Sequence, residues 1–184
     1  VKAEDVTLIT GTFTEVNTAL SAGGIDTAAD VAATLSGTVS AANADAVADL
    51  TTGVVTATIA AGTAAALNGA LSDAKPGLKD NAYALTVNNA AGTAAAATVL
   101  NALDAKTSVK VKVDAVEVDG AYADLEKVYV TNKAGFANLG DEKVTITGGS
   151  VTADKVNVIA KATKGEVTAT VADNTADVLV ANLK

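Results

Sequence analysis

The chain has 184 residues, 49% of them apolar, with a mean hydropathy of +0.34, which places it among ordered globular proteins rather than disordered ones. Thirteen lysines and no arginine against 21 acidic residues give a net charge of −8, which repels nucleic-acid backbones and anionic membranes over most of the surface. The absence of Cys, His, Met and Trp excludes disulfides, Cys/His zinc sites, haem ligation by those side chains and the commonest general base.

Val6 to Thr10 reads as a strand, followed after Gly11 by a helix with Phe13, Val16 and Leu20 on one face. Ala22-Gly23-Gly24 is expected to end that helix through a positive-φ turn. Val31 to Leu35 is the second strand, and Ser40 is the predicted N-cap of a helix carrying Val47 and Leu50. Val54 to Ile59 is the third strand; Gly62-Thr63 turns and caps an alanine-rich helix with Ala64, Leu67 and Leu71 on one face.

Pro76 sits in a polar connector between Ser72 and Asn81, where it stiffens a loop without breaking an element. Tyr83 to Val87 reads as the fourth strand, Asn88-Asn89 as a turn, and Thr93 as the cap of a helix with Ala96, Leu100 and Leu103 inward. Ser108 to Val113 alternates Val109, Val111 and Val113 with Lys110 and Lys112, the pattern of a half-buried strand. A helix around Tyr122 to Val130, an enlarged loop from Thr131 to Glu142 and a strand from Lys143 to Thr147 follow. A helix capped by Thr152, a strand from Glu166 to Val171 and a helix led by Asn174-Thr175 complete seven β-α units.

These units repeat. Gly37 to Leu71 returns at Gly149 to Leu183, 112 residues on without a gap, with 15 identities in 35 positions, Gly53/Gly165 and Val55-Thr56-Ala57-Thr58/Val167-Thr168-Ala169-Thr170 among them. With a small gap the echo extends upstream, aligning Gly11 with Gly120, Phe13 with Tyr122, Val16 with Leu125 and Leu20 with Tyr129. The expected organisation is a single repeat domain over residues 1–184, with copy one over about 1–108 (four β-α units) and copy two over about 109–184 (three).

Strands alternating with short helices call for parallel pairing. The apolar/threonine alternation leaves one strand face to solvent, whereas a doubly wound sheet needs central strands apolar on both faces. The expected fold is therefore α/β: a repetitive α/β solenoid with a parallel sheet on one side and short helices on the other, a doubly wound α/β sandwich being the alternative. Its predicted core is Val55, Ile59, Leu67, Leu71, Val87, Leu100, Leu103, Val167, Val171 and Leu179. No cap is legible at either end, so edge strands are expected to join neighbouring copies or neighbouring repeats of a longer chain.

The candidate surface is the exposed sheet face: Thr34, Thr56, Thr58, Thr86, Lys110, Lys112, Thr145, Thr147, Thr168 and Thr170. A flat threonine array orders water or holds a regular surface, as in ice-binding solenoids; the plainer reading is that β-branched threonine suits the solvent side of any strand. Asp114, Glu117, Asp119, Asp124 and Asp141-Glu142 are oxygen-rich enough to attract Ca²⁺, yet match neither an EF-hand nor a β-roll nonapeptide, so solvated acids are preferred. Gly23-Gly24 and Gly148-Gly149 lack the Lys-Ser/Thr of a phosphate loop and are read as turns. No catalytic or metal-binding residue is assigned, no cofactor is required, and no segment approaches the ~18 apolar residues of a membrane helix or has the layout of a signal peptide.

TTGVVTATI with its Gly/Thr-Ala-Ala-x-Leu helix, then NAYALTV and LNALDAKTSVKVKVDA, resemble repeats of very large secreted cell-surface proteins of marine cyanobacteria and related bacteria, grouped with hemolysin-type calcium-binding proteins. The resemblance covers chiefly residues 51–119 and the echo at 163–183, and implies an extracellular or cell-surface structural role. The calcium-binding nonapeptides of that group are absent. The expected function is a non-catalytic building block of a surface layer, adhesin stalk or head-to-tail fibre. The alternative is a binding module whose threonine-rich face holds a glycan, a protein or a regular surface.

Overall fold

The computed structural model describes residues 2–72 and 81–172. Strands β1 (Lys2–Ala3) and β2 (Leu8–Gly11) lead into helix α1 (Phe13–Ser21); β3 (Asp26–Thr27) and β4 (Ala32–Val39) lead into α2 (Ala41–Ala48). β5 (Val55–Ile59) leads into α3 (Ala64–Ala70). β6 (Ala82–Ala84), β7 (Thr86–Val87) and β8 (Ala95–Ala96) precede α4 (Ala97–Asp104). β9 (Val111–Val113) and β10 (Glu117–Ala121) precede α5 (Tyr122–Glu126), which continues as a π-helical turn, Lys127–Thr131, and a 3-10 turn, Lys133–Gly135. β11 (Phe136–Ala137) and β12 (Lys143–Thr147) precede α6 (Ala153–Ala160), and β13 (Val167–Thr168) is the last strand among the described residues.

Local chemistry starts the helices. Thr12 and Glu15 form a capping box, in which a Glu15 carboxylate oxygen accepts the Thr12 N–H at 2.8 Å and the Thr12 hydroxyl accepts the Glu15 N–H at 3.4 Å. The Thr12 N–H, and after it the Thr12 hydroxyl donating to the same carboxylate at 2.9 Å, hold the Glu15 carboxyl below its ordinary pKa. Ser40 and Thr63 cap α2 and α3 by accepting from Asn43 and Ala66. In β5, Val55, Ala57 and Ile59 face the core and Thr56 and Thr58 face out, the expected period of two.

Among the described residues every strand pair is parallel, and within each sheet the strands are neighbours in chain order. The orders are β1-β3, β2-β4-β5-β6, β7-β9-β11 and β8-β10-β12-β13. None reverses, as a doubly wound sheet must at its switch point. The helices form one row, each of α1 to α6 packing against the next. A single apolar core lies between strands and helices, from Val16 and Ala33 to Val156 and Ile159. Many of its members are small, Ala33, Ala44, Ala64, Ala95, Ala97 and Ala153 among them, which is how successive units approach so closely.

The architecture is thus α/β with parallel sheets, but among the described residues the strands lie in four sheets rather than one. The fourth predicted strand, Tyr83 to Val87, divides: β6 closes the sheet begun by β2, and β7 begins another. Residues 88–94 then carry the chain to β8, beside α3. The strand expected from Ser108 shrinks to Val111–Val113, with Val109 exposed.

The acidic stretch read as solvated holds β10, paired on both sides by β8 and β12, because Val118 buries while Glu117 and Asp119 remain at its borders. Leu50 is exposed; α2 ends at Ala48. Ala22 ends α1 in extended geometry, and neither Gly23 nor Gly24 has positive φ. Thr93 caps nothing: Ala96 occupies the N-cap of α4. Thr152 sits at the N-cap of α6 without a side-chain bond.

Of the predicted core, Val55, Ile59, Leu67, Leu71, Val87, Leu100 and Leu103 are buried, and Val167 and Val171 are partly buried. Leu179, Pro76 and the helix led by Asn174-Thr175 lie outside the described residues.

Gly53 and Gly165 lie directly against the backbone of the preceding unit, at Asp30–Val31 and at Glu142. A Cβ at either position overlaps main-chain atoms that have nowhere to go. Gly53→Ala is expected to destabilise the chain by about 2 kcal/mol or more in urea unfolding, and Gly23→Ala, with open space around it, to cost nothing measurable.

Candidate interaction surface

The parallel register places the threonines in ladders. Thr10, Thr34 and Thr56 are successive partners across β2, β4 and β5, and Thr38 pairs with Thr58. Neighbouring strands lie about 4.8 Å apart, so each ladder is a row of hydroxyls at that repeat. Ala82 and Ala84 end both rows on β6. A third row runs Asp119, Thr145, Thr168 across β10, β12 and β13, with Thr147 beside Ala121. Thr86 pairs with Lys112, whose ammonium reaches Asp114 at 2.7 Å.

Lys110 and Thr170 lie outside the named strands, the Thr170 carbonyl accepting from Val151 N–H. Eight of the ten predicted residues therefore fall on three sheets and the other two on none, so no single flat array gathers them. Thr10 and Thr38 were missed because register, which is invisible in a one-dimensional pattern, makes them ladder members.

A second set of threonines is buried and fastens one unit to the previous one. Thr51, Thr107 and Thr163 are spaced 56 residues apart and all three are buried. The Thr51 hydroxyl donates to Val31 O at 2.6 Å and accepts the Gly53 N–H at 2.9 Å. Thr163 donates to Glu142 O at 2.8 Å and accepts from Gly165 N–H at 3.0 Å. Thr107 donates to Tyr83 O at 2.8 Å and accepts from Tyr83 N–H and Val109 N–H at 3.0 and 3.1 Å. Its hydroxyl capacity is filled. The repeat marked the glycines of Thr-x-Gly; the threonine two residues before each was the available signal.

Other fasteners follow the same rule. Asn89 accepts the Ala64 N–H at 2.8 Å, capping α3 from the next unit, and Lys106 donates to Leu71 O at 2.6 Å and Asn68 O at 3.0 Å at the far end of that helix. Asn81 accepts the Val55 N–H at 2.9 Å.

The acids read as calcium candidates do not converge. Asp114 is held by Lys112 and Asn138, which lowers its pKa, Glu117 accepts from Gly92 N–H, and Asp141 lies 3.5 Å from Lys164. Glu142, 3% exposed, accepts from Gly140 N–H at 2.8 Å and Tyr129 hydroxyl at 3.2 Å. An open groove of about 430 Å³ runs between Val113–Val116 and Asn138–Glu142. Among the described residues no three His, Cys, Asp or Glu side chains gather to hold a metal ion, and no helix is long and apolar enough to cross a membrane. Comparison with protein-family models, with curated proteins and with solved structures gave no match.

Thr107→Val strands the buried Tyr83 N–H and carbonyl and frees the partly buried Val109 N–H, and is expected to cost about 1–3 kcal/mol, whereas Thr56→Val on the open face stays within about 0.5 kcal/mol; chemical denaturation compares them.

Burial, and secondarily the charge of Glu142, raise the pKa of Tyr129; burial, then Asp45 and Asp49, raise that of Tyr83. The folded chain therefore keeps protons that the unfolded chain loses near pH ~10, so this contribution to stability is intact below that pH and declines above it. Urea midpoints measured from about pH 8 to about pH 12 should fall, and Tyr129→Phe should make the fall shallower.

Proposed function

We propose that the chain is a non-catalytic structural repeat protein, an α/β solenoid that serves as a spacer or building block in an extracellular assembly such as a surface layer, stalk or fibre. The observation that carries this reading is pairing strictly between successive units, with the same partners recurring in the two halves. Ala33 with Val55 recurs as Val144 with Val167, Thr34 with Thr56 as Thr145 with Thr168, and Val39 with Ile59 as Val151 with Val171. Such a stack gains stability by adding units, and an open strand edge such as that of β2 among the described residues can take a further one.

Supporting a non-catalytic role, the buried polar side chains Thr51, Asn89, Lys106, Thr107, Glu142 and Thr163 all bond neighbouring backbone or side-chain groups. The cell-surface placement rests on the likeness of TTGVVTATI and NAYALTV to secreted repeat proteins. The binding-module reading draws on the Thr10-Thr34-Thr56 ladder, which is regular but only three rungs deep.

Two measurements separate these. With no native cysteine, Thr34→Cys with Thr56→Cys reports stacking directly: paired neighbours lie within disulfide reach, so rapid oxidation to an intramolecular bond is expected. Negative-stain microscopy of the unmodified chain should show end-to-end rods or sheets. Isolated particles that bind an immobilised glycan through the threonine face would overturn the structural reading in favour of the module.

A further inference from the structure

The second half of the molecule shows what covers the open edge of the first. With Gly11 aligned to Gly120, β1 corresponds to the first residues of β9, β2 to β10 and α1 to α5. The pairings agree: Lys2 with Asp26 matches Val111 with Phe136, and Leu8 with Ala32 matches Glu117 with Lys143. In the second half a further unit, residues 82–104, lies on the outer side of these elements. β7 pairs with β9 and β8 with β10, while Asn101 on α4 donates to the Asp124 carbonyl at 3.1 Å. The close approach of Ala97 also requires a residue without Cβ at Gly120.

In the first half, no strand among the described residues occupies that side of β1 or β2. The apolar surface left there is what the second half buries. Val6 is 38% exposed where its counterpart Ala115 is 5%, and Leu8 is 51% exposed at the strand edge. Ile9 and Leu20 are only partly buried where Val118 and Tyr129 are fully buried.

We propose that the edge formed by β1, β2 and α1 is an interface for one occupant: a β-α unit of the kind formed by residues 82–104, belonging to a preceding repeat. Its first strand pairs along β1 as β7 does along β9, and its second along β2 as β8 does along β10. Its helix presents an Ala/Leu face like Ala97, Leu100 and Leu103 to the partly buried Phe13 and Leu20, with an asparagine placed to donate to the Glu15 carbonyl. This rests on the stacked-repeat reading and adds the identity and register of the partner.

The test is the full chain with a second copy of residues 81–109 joined directly ahead of Val1, which reproduces the spacing between units found at residues 81–111. Hydrogen exchange at those amides of Leu8–Gly11 that do not bond β4 should slow by about tenfold or more, and alkylation of Leu8→Cys should slow similarly. A control extension carrying aspartate at the counterparts of Leu100 and Leu103 should leave both as fast as in the parent chain.

Unchanged exchange in the first extended chain, or equal slowing with both extensions, overturns the docking. Amides between β4 and β5 report separately on the stack: if they are unprotected in the parent chain, the stacked reading fails first and the docking falls with it.

Discussion

A strand in a parallel stack carries backbone donors and acceptors on both edges, and each edge must be met by another chain segment or by water. That constraint governs this molecule. Each strand is matched to one from the neighbouring unit, and the short helices, from Tyr122–Glu126 to Phe13–Ser21, are stabilised by packing along a row rather than by length. Layer thickness is then set by the residues between neighbours, which explains an interior of alanine and valine and glycines where backbone meets backbone at Gly53 and Gly165.

Hydrophobic contact between small side chains is weakly directional, so the units slide unless something sets their register. Polar fasteners supply that. Thr51, Thr107 and Thr163 each bind a carbonyl of the unit before and an amide two residues ahead, Asn89 caps a helix it does not belong to, and Lys106 closes the other end of the same helix. Removing one partner leaves the other buried and unmatched, which makes these few groups more consequential than the many exposed threonines.

The same economy bears on function. A chain without histidine, cysteine or arginine has its buried carboxylate Glu142 and buried lysine Lys106 bonded to its own groups. Among the described residues, the buried Tyr83 hydroxyl and Asn68 Oδ1 have no hydrogen-bond partner, and at the surface the β2 strand edge and the apolar flank beside Leu8 are left open.

The sequence by itself determined the α/β class, the helix starts at Ser40 and Thr63, the burial of seven of the ten predicted core residues, and the correspondence between Val55–Thr58 and Val167–Thr170, because capping and period-two or period-3.6 patterns are local. Tertiary structure decided the rest. That Tyr83–Val87 divides between two sheets depends on where residues 88–94 must travel to reach the helix row. That Thr10 joins Thr34 and Thr56 depends on register. That an acidic stretch becomes the interior strand Glu117–Ala121 depends on neighbours on both sides, since a ladder bond is formed by two segments about 25 residues apart and neither records its partner.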